Sequence, residues 1–219
     1  MSVKLSPSTL KLMEECPRCF WLHFNKKIKR PEMGFPTLPR GMDNILKEHF
    51  DRFMKKGELP PELKEHKVEG KLFDDEGLLK VWRNPLRGIS WEDGRGNVLR
   101  GAVDNILMKG KRLIVLDYKT RGFALKEDTA AHYQHQLNLY NFLLRKNGYP
   151  TEDYAYLLFY VPALVLPSGE MVFETELVKM KVSVEDAEKM FKKALKILEG
   201  EIPPASEECK YCRYVEERK

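Results

Sequence analysis

Apolar residues form two separate runs between residues 101 and 120, and this pattern predicts a β-hairpin. Val103, Ile106 and Leu107 make up the first run, and residues 113–116 make up the second. The sequence Lys-Gly-Lys at 109–111 supplies a turn between them. An uninterrupted apolar run such as Leu-Ile-Val-Leu is typical of a strand that is buried on both faces. The second run is therefore predicted to be a central strand.

Charged residues stand at the end of this predicted strand. Asp117 and Lys119 follow the second apolar run directly, and Asp104 lies within the first arm. Because strand side chains alternate between faces, Asp117 and Lys119 project to one side and Tyr118 to the other. If the arms pair, Asp104 lies beside Asp117. A divalent cation such as Mg²⁺ or Mn²⁺ would offset the cost of burying two carboxylates there, although an isolated Asp-x-Lys is more often a solvated strand end.

The other apolar patterns predict helices on either side of this hairpin and further strands after it. Ser6 and Pro7 begin a helix that ends near Cys16, because Pro17 disfavours helical backbone in the residue before it. Further helices are predicted over 41–57, from residue 129 to Gly148, and from Ser183 to Gly200. The last of these is expected to pack on the sheet. Strands are predicted over 153–162, ending at Pro162, and over 171–182, and shorter ones near Trp82 and Trp91.

Three short motifs in this order resemble those of the PD-(D/E)XK nuclease superfamily. They are Gly101-x-x-Asp104, Asp117-x-Lys119 and Gln136-x-x-x-Tyr140. The set is similar, more narrowly, to the RecB-type branch that includes the CRISPR-associated fourth protein and the AddB nuclease domain. The motifs cover residues 98–144. The resemblance implies a restriction-endonuclease-like α/β core, with a mixed central β-sheet flanked by helices, and metal-dependent hydrolysis of phosphodiester bonds in DNA.

The resemblance also implies a role for each motif residue. Asp104 and Asp117 would hold Mg²⁺ or Mn²⁺ with help from the backbone carbonyl of Tyr118. Lys119 would position or deprotonate the attacking water and stabilise charge on the phosphate. Gln136 and Tyr140, one helical turn apart, would contact the substrate or the groups around the metal.

One metal ligand of the family is missing from its usual place. In the family, a histidine four positions after a glycine often binds the metal, but the fourth residue after Gly41 is Ile45. His49 lies one turn further along the same helix face. His49 either replaces the missing ligand or is an ordinary helix-surface residue. Asp43 and Glu48 are the alternatives on this helix.

All four cysteines occur as two C-x-x-C pairs, Cys16/Cys19 and Cys209/Cys212. Such pairs indicate a metal site in an intracellular protein, but only folding can join pairs that lie so far apart. Four thiolates suit either a [4Fe–4S] cluster or tetrahedral Zn²⁺. Related iron–sulfur nucleases carry one cysteine before the core and three after it, and that resemblance favours the cluster. The symmetric two-and-two pairing favours zinc, and four reduced cysteines without metal are the third interpretation. The expected metal is a [4Fe–4S] cluster, and Zn²⁺ is the alternative.

Basic residues indicate a nucleic-acid partner without requiring one. The formal net charge is +5, which is mild, and charged residues make up 32% of the chain. Residues 25–40 are basic and proline-containing and are predicted to be a loop. The basic residues weakly favoured for contact with nucleic acid are Lys27, Arg40, Arg83, Arg87 and Arg100.

These observations combine into one prediction for the whole chain. Residues 1–219 form a single nuclease domain, in which residues 1–30 and 200–219 build a cysteine metal-binding lobe. The function is a Mg²⁺- or Mn²⁺-dependent deoxyribonuclease, expected to be an exonuclease on single-stranded or end-containing DNA, with other DNA-processing proteins as further partners. The alternative is a catalytically weak DNA-binding module or assembly subunit. No signal peptide or apolar run of about 18 residues occurs, so a cytoplasmic protein without a membrane span is expected.

Overall fold

The computed structural model describes residues 2–31, 34 and 37–217. Its strands are β1 (Lys4–Leu5), β2 (Lys71–Leu72), β3 (Ile89–Glu92), β4 (Val98–Gly101), β5 (Asn105–Lys109), β6 (Arg112–Thr120), β7 (Tyr154–Val165) and β8 (Met171–Lys181). Its α-helices are α1 (Pro7–Glu15), α2 (Pro17–Trp21), α3 (Thr37–Lys55), α4 (Pro61–Glu65), α5 (Glu76–Trp82), α6 (Gln134–Lys146), α7 (Val184–Glu199) and α8 (Lys210–Glu216). A π-helical turn (Leu22–Lys26) follows α2, and a 3-10 turn (Ala130–Tyr133) precedes α6.

The central sheet is mixed, as the sequence predicts. Its strand order is β2-β5-β6-β7-β8, with β6 and β7 parallel and the other neighbours antiparallel. The predicted hairpin is β5–β6, in which Asn105 pairs with Leu116. A second, smaller sheet has the order β1-β4-β3. One cluster of buried apolar side chains draws on both sheets and the helices around them.

Local capping signals explain where several helices begin. The Ser6 side chain accepts a hydrogen bond from the backbone N–H of Thr9 and begins α1, and Pro7 occupies the first turn. The Ser183 side chain accepts from the N–H of Asp186 and begins α7. The predicted start of the second helix at residue 41 is four residues late, because α3 begins at Thr37 and tolerates a proline in its first turn. Residues 32–33, 35 and 36 of the predicted basic loop lie outside the described residues.

Three predicted elements differ from the structure. Trp82 ends helix α5 rather than lying in a strand, because Asp75 caps that helix and Leu79 and Trp82 bury one face of it. Strand β7 continues past Pro162 to Val165, since a shift in register near Pro162 accommodates the missing N–H. Helix α7 packs chiefly against α6 rather than directly on the central sheet.

Two helices cover the end of β6 from opposite faces and so position the candidate site. Phe50 of α3 packs on the ring of Tyr118, with 4.6 Å between ring centroids. Helix α6 lies on the other face, towards which Asp117 and Lys119 project. Across the part of the chain that the structure describes, no helix combines the length and the apolar character that a bilayer crossing needs.

Candidate active site and cysteine cluster

Asp104, Asp117 and Lys119 meet at one end of the β5–β6 hairpin. The ammonium nitrogen Nζ of Lys119 contacts Oδ2 of Asp117 on the same face of β6. Asp104 lies immediately before β5, and its Oδ2 accepts a hydrogen bond of 3.1 Å from the backbone N–H of Tyr118. This bond extends the pairing of the two arms beyond their last residue pair. The motif side chains named from the sequence are thus neighbours in the structure.

The surroundings of these groups shift their ionisation. Burial raises the pKa of Asp117 to about 7, and the nearby Asp104 charge adds to this while the Lys119 ammonium opposes it. Burial alone would lower the pKa of Lys119, but the charges of Asp117 and Asp104 outweigh it and raise that pKa. The side chain of Asp117 is only 1% exposed. A buried carboxylate beside a second carboxylate is an environment in which a divalent cation would be stabilised.

Gln136 links the charged pair to helix α6. Its Nε2 donates to Oδ1 of Asp117 at 3.2 Å and to the Tyr140 hydroxyl at 2.8 Å, and its Oε1 accepts from Nζ of Lys119 at 3.5 Å. The ring of Tyr133 lies 4.7 Å from the same Nζ. From the sequence, Tyr133 looks like a core residue only. Tyr133 precedes Gln136 by three residues, and side chains with this spacing lie on the same side of a helix. This spacing is the sequence signal that Tyr133 lies beside Lys119.

Packing against Tyr140 explains why the first residue of the first motif, Gly101, has no side chain. A Cβ atom added at Gly101 would lie 2.7 Å from Cε1 of Tyr140 and 3.2 Å from Cδ1 of Leu143. The ring of Tyr140 therefore packs directly against the backbone of β4. Any larger residue at position 101 would push Tyr140 away and disturb its hydrogen bond with Gln136.

Helix α3 contributes a lysine that the sequence did not identify. Nζ of Lys47 lies 2.7 Å from Oδ2 of Asp43 and 3.2 Å from Oδ1 of Asp104. Of the α3 residues considered as ligands, Asp43 is therefore connected to the site through Lys47. His49 is directed to another network, where its Nε2 lies 3.0 Å from Oε1 of Glu62. The same Glu62 oxygen accepts a hydrogen bond of 2.7 Å from the Tyr160 hydroxyl.

Arg83 fixes the main chain at Asp104 instead of facing outward. Its Nε donates to the Asp104 carbonyl at 2.7 Å, and its Nη1 contacts both carboxylate oxygens of Asp51 at 2.7 and 2.9 Å. This corrects the sequence-based assignment of Arg83 to nucleic-acid contact, because its guanidinium is engaged inside the protein. Lys27, Arg40 and Arg87 are exposed, as that assignment requires.

A cleft of about 830 Å³ leads from the motif residues to helix α1. Gln136, Tyr140, Gly101 and Arg100 are among the residues that line it. The other residues that line it include Ser6, Lys11, Glu14, Glu15, His132 and His135. Glu14 is paired with His135 at 2.8 Å, and Glu15 with Arg30 at 2.5 Å. The cleft thus offers cations and hydrogen-bond donors next to the candidate catalytic groups.

The two C-x-x-C pairs meet at the junction of α2 with α8, which confirms that folding joins both ends of the chain. All four Sγ atoms lie within 4.8 Å of one another, and no disulfide is formed. The Sγ–Sγ distances are 3.9 Å for Cys16–Cys212 and 3.6 Å for both Cys19–Cys209 and Cys19–Cys212. Four soft sulfur ligands converging on one point fit a metal ion.

The pKa values of the cysteines depend on burial and on hydrogen bonds between the cysteines. Burial and hydrogen bonds with neighbouring cysteines raise the pKa of Cys212, and burial is the largest cause of the raised pKa of Cys19. Burial opposes ionisation of Cys16 too, but hydrogen bonds from the backbone of Ser206 and Cys19 outweigh it and lower the pKa to about 6. Arg30 places a positive charge at the cluster, because its Nη2 donates to Sγ of Cys209 at 3.6 Å. Its guanidinium also lies 4.7 Å from the centre of the Tyr211 ring.

A mixed sheet gathers Asp104, Asp117, Lys119 and the helical Gln136 at one strand end. A family model described as the PD-(D/E)XK nuclease superfamily matches residues 4–216, and the chain belongs to that superfamily. Membership indicates a metal-dependent nuclease. No curated protein matches the chain. Among solved structures, SSO0001 is similar, with 14% sequence identity and a TM-score of 0.46 over 98% of this chain and 85% of that one.

Proposed function

We propose that the protein is a Mg²⁺- or Mn²⁺-dependent deoxyribonuclease that acts as an exonuclease on single-stranded or end-containing DNA. The observation that carries this proposal is the grouping of Asp104, Asp117 and Lys119 beside Gln136. Gln136 also lines a cleft to which Lys11 and Arg100 contribute positive charge. Likeness to the RecB-type branch is part of the same proposal. It is supported by the Gln136–Tyr140 pair and by the cysteines that join both ends of the chain.

Each residue at the site has a part in the proposed reaction. Asp104 and Asp117 would hold the divalent ion, with the Tyr118 carbonyl as a further ligand. The bound ion would supply Lewis-acid activation of water and neutralise charge on the phosphate. Lys119, which Asp117, Gln136 and the Tyr133 ring hold in place, would orient the attacking water and stabilise the negative charge that develops on the phosphate.

The shape of the cleft supports a single strand as substrate. A volume of about 830 Å³ accommodates a few nucleotides of one strand. Lys11 and Arg100 line the cleft where they would contact phosphates, and the rings of His132 and Tyr133 offer surfaces for base stacking.

Cleavage of end-labelled DNA tests this function. The substrates are linear single strands, blunt duplexes, duplexes with single-stranded tails, circular single strands and RNA, each with Mn²⁺, Mg²⁺ or EDTA. We expect metal-dependent release of short products from linear single strands and tails, and none from circles. Cleavage of circles would replace exonuclease by endonuclease action, and preference for RNA would replace the DNA substrate. Failure to cleave any substrate with either metal would overturn the proposal.

The second candidate function is a catalytically weak module that binds DNA or assembles with other DNA-processing proteins. The observation that favours it is the Lys47 ammonium at Oδ1 of Asp104, where a metal would otherwise be bound. In the same assay this candidate predicts DNA binding without metal-dependent turnover.

DNA binding is expected to be strongly salt-dependent. If the cleft contacts about four phosphates of a single strand, affinity should fall by about fiftyfold between 50 and 200 mM salt, because counterions are released. Lys11→Met should reduce the slope of log K against log [salt] by about 0.7, since it removes one phosphate contact. Lys71→Met is the control, because Lys71 lies on edge strand β2 in an exposed ion pair with Asp74. Fluorescence anisotropy measures both slopes, and a flat salt dependence would contradict the prediction.

We further propose that the cysteine cluster holds a single Zn²⁺ ion. A tetrahedral ion with Zn–S bonds of about 2.3 Å places its sulfur atoms about 3.8 Å apart. The Sγ–Sγ distances of 3.6 and 3.9 Å agree with that value. In a [4Fe–4S] cluster each thiolate binds a different iron, so the sulfur atoms must stand further apart than they do around one ion. The distances therefore support zinc over the cluster that the family resemblance favours.

A further inference from the structure

Each carboxylate of the candidate metal site already has an ammonium partner of its own. Lys119 contacts Asp117, as the motif predicts. Lys47, from a helix on the opposite face of the sheet, contacts Oδ1 of Asp104 at 3.2 Å. The side chains of Lys47 and Asp104 are 21% and 18% exposed, so water screens this contact only in part. The second lysine lies in none of the three motifs.

The two carboxylate oxygens of Asp104 have different partners, which shows which of them could bind a cation. Its Oδ2 is engaged by the backbone N–H of Tyr118. Oδ1 is therefore the oxygen better placed to bind a cation, and it is the one that Lys47 contacts. A divalent ion at Oδ1 and the Lys47 ammonium cannot both lie within bonding distance without strong repulsion.

Asp43 offers the ammonium a second place. Its Oδ2 lies 2.7 Å from Nζ of Lys47, closer than Asp104 does. Asp43 precedes Lys47 by one helical turn, and an acidic residue four positions before a lysine is the favourable orientation of such a pair. Lys47 therefore has an ion-pair partner on its own helix that remains when Asp104 binds a divalent cation.

We propose that Lys47 is a positioning residue that competes with the divalent cation for Oδ1 of Asp104, and that Asp43 receives its ammonium when the cation binds. The lysine stabilises the site without metal and lowers its affinity for metal. Occupancy of the site then depends on the concentration of free divalent ion. This inference takes from the proposed function only the identity of the cation, Mg²⁺ or Mn²⁺. Its test measures binding of the cation instead of turnover of DNA.

Mn²⁺ binding to the intact protein tests the competition, measured by isothermal titration calorimetry and by the loss of the free-ion signal in electron paramagnetic resonance. Lys47→Met should bind Mn²⁺ about tenfold more tightly, because a positive charge a few ångströms from the ion is removed. Lys47→Arg keeps the charge and should stay within about threefold of the wild type. Lys55→Met, an exposed lysine of the same helix, should change nothing. Asp104→Asn should abolish the binding and so locate it.

A double-mutant cycle tests the part of Asp43. If Asp43 acts by receiving Lys47, Asp43→Asn should weaken Mn²⁺ binding when Lys47 is present and have no effect beside Lys47→Met. Weakening of equal size in both backgrounds would make Asp43 a direct ligand and overturn its assigned part. Thermal melting gives an independent measurement. Without Mn²⁺, Lys47→Met should melt at a lower temperature than the wild type. Addition of Mn²⁺ should raise the melting temperature of Lys47→Met by more than it raises that of the wild type.

Unchanged or weaker Mn²⁺ binding by Lys47→Met would overturn the competition. Absence of Mn²⁺ binding in the wild type and in every variant would overturn it together with the proposed metal site. A protein that fails to cleave nucleic acid while Lys47→Met binds Mn²⁺ more tightly would refute the nuclease proposal and support this one.

Discussion

Asp117→Asn is expected to reduce DNA cleavage by about a thousandfold and to leave the fold intact. The substitution removes a negative charge from the site but keeps the size of the side chain and an oxygen that can accept from Gln136. Burial already raises the pKa of this carboxyl, so a neutral side chain is easier to bury than the charged one. The free energy of unfolding of the metal-free protein should therefore be unchanged or higher. Single-turnover cleavage at saturating Mn²⁺ and thermal melting measure the two effects.

Two further variants make this result specific. Lys119→Met removes the charge that would stabilise the phosphate and should lose activity to a similar extent, while Mn²⁺ still binds. Asp74→Asn changes an exposed aspartate that is also paired with a lysine, Lys71, and should cleave like the wild type. If Asp117→Asn kept wild-type turnover, the assignment of the active site would be wrong.

Loss of the metal from the cysteine cluster should destabilise the whole protein. Cys19 and Cys209 are 190 positions apart in the chain, so an ion that they share would close a loop that includes every strand except β1. Chain-entropy reasoning for cross-links of this length gives about 5 kcal/mol, a large part of the stability of an ordinary domain. For a chain of this size, that corresponds to a fall of about 10 to 20 °C in melting temperature.

Cys19→Ser is the most severe test, because its Sγ lies 3.6 Å from two other sulfur atoms. This variant is expected to be unstable or insoluble, whereas Lys119→Met should fold normally. Chelation of the folded wild type provides a second measurement that needs no variant, and its melting temperature should fall by the same amount. Unchanged melting after complete removal of the metal would contradict a structural role.

The colour and metal content of the purified protein decide which metal the cluster holds. Zinc predicts a colourless protein with one ion per chain, and replacement by Co²⁺ should give visible absorption bands of tetrahedral thiolate coordination. A brown protein that bleaches on reduction would overturn zinc in favour of the iron–sulfur cluster. A well-folded protein free of metal would exclude both.

The sequence by itself determined the parts of the site that lie close together along the chain. Strand alternation placed Asp117 and Lys119 on one face of β6, and helical spacing placed Gln136 beside Tyr140. The hairpin turn brought Asp104 next to β6. These relations follow from the periods of strand and helix and from turn chemistry, which act over a few residues and leave a readable pattern.

Only the tertiary structure decided how distant elements face one another. It directed Lys47 to Asp104, Arg83 to Asp51 and His49 to Glu62, and it brought the cysteines of α2 and α8 to within one ion's reach. Lysine, arginine and histidine on a helix have the same local pattern whether they face solvent or a neighbouring carboxylate. Which face is covered depends on how the helices pack against the sheet, and that packing is set by the whole core rather than by any local spacing.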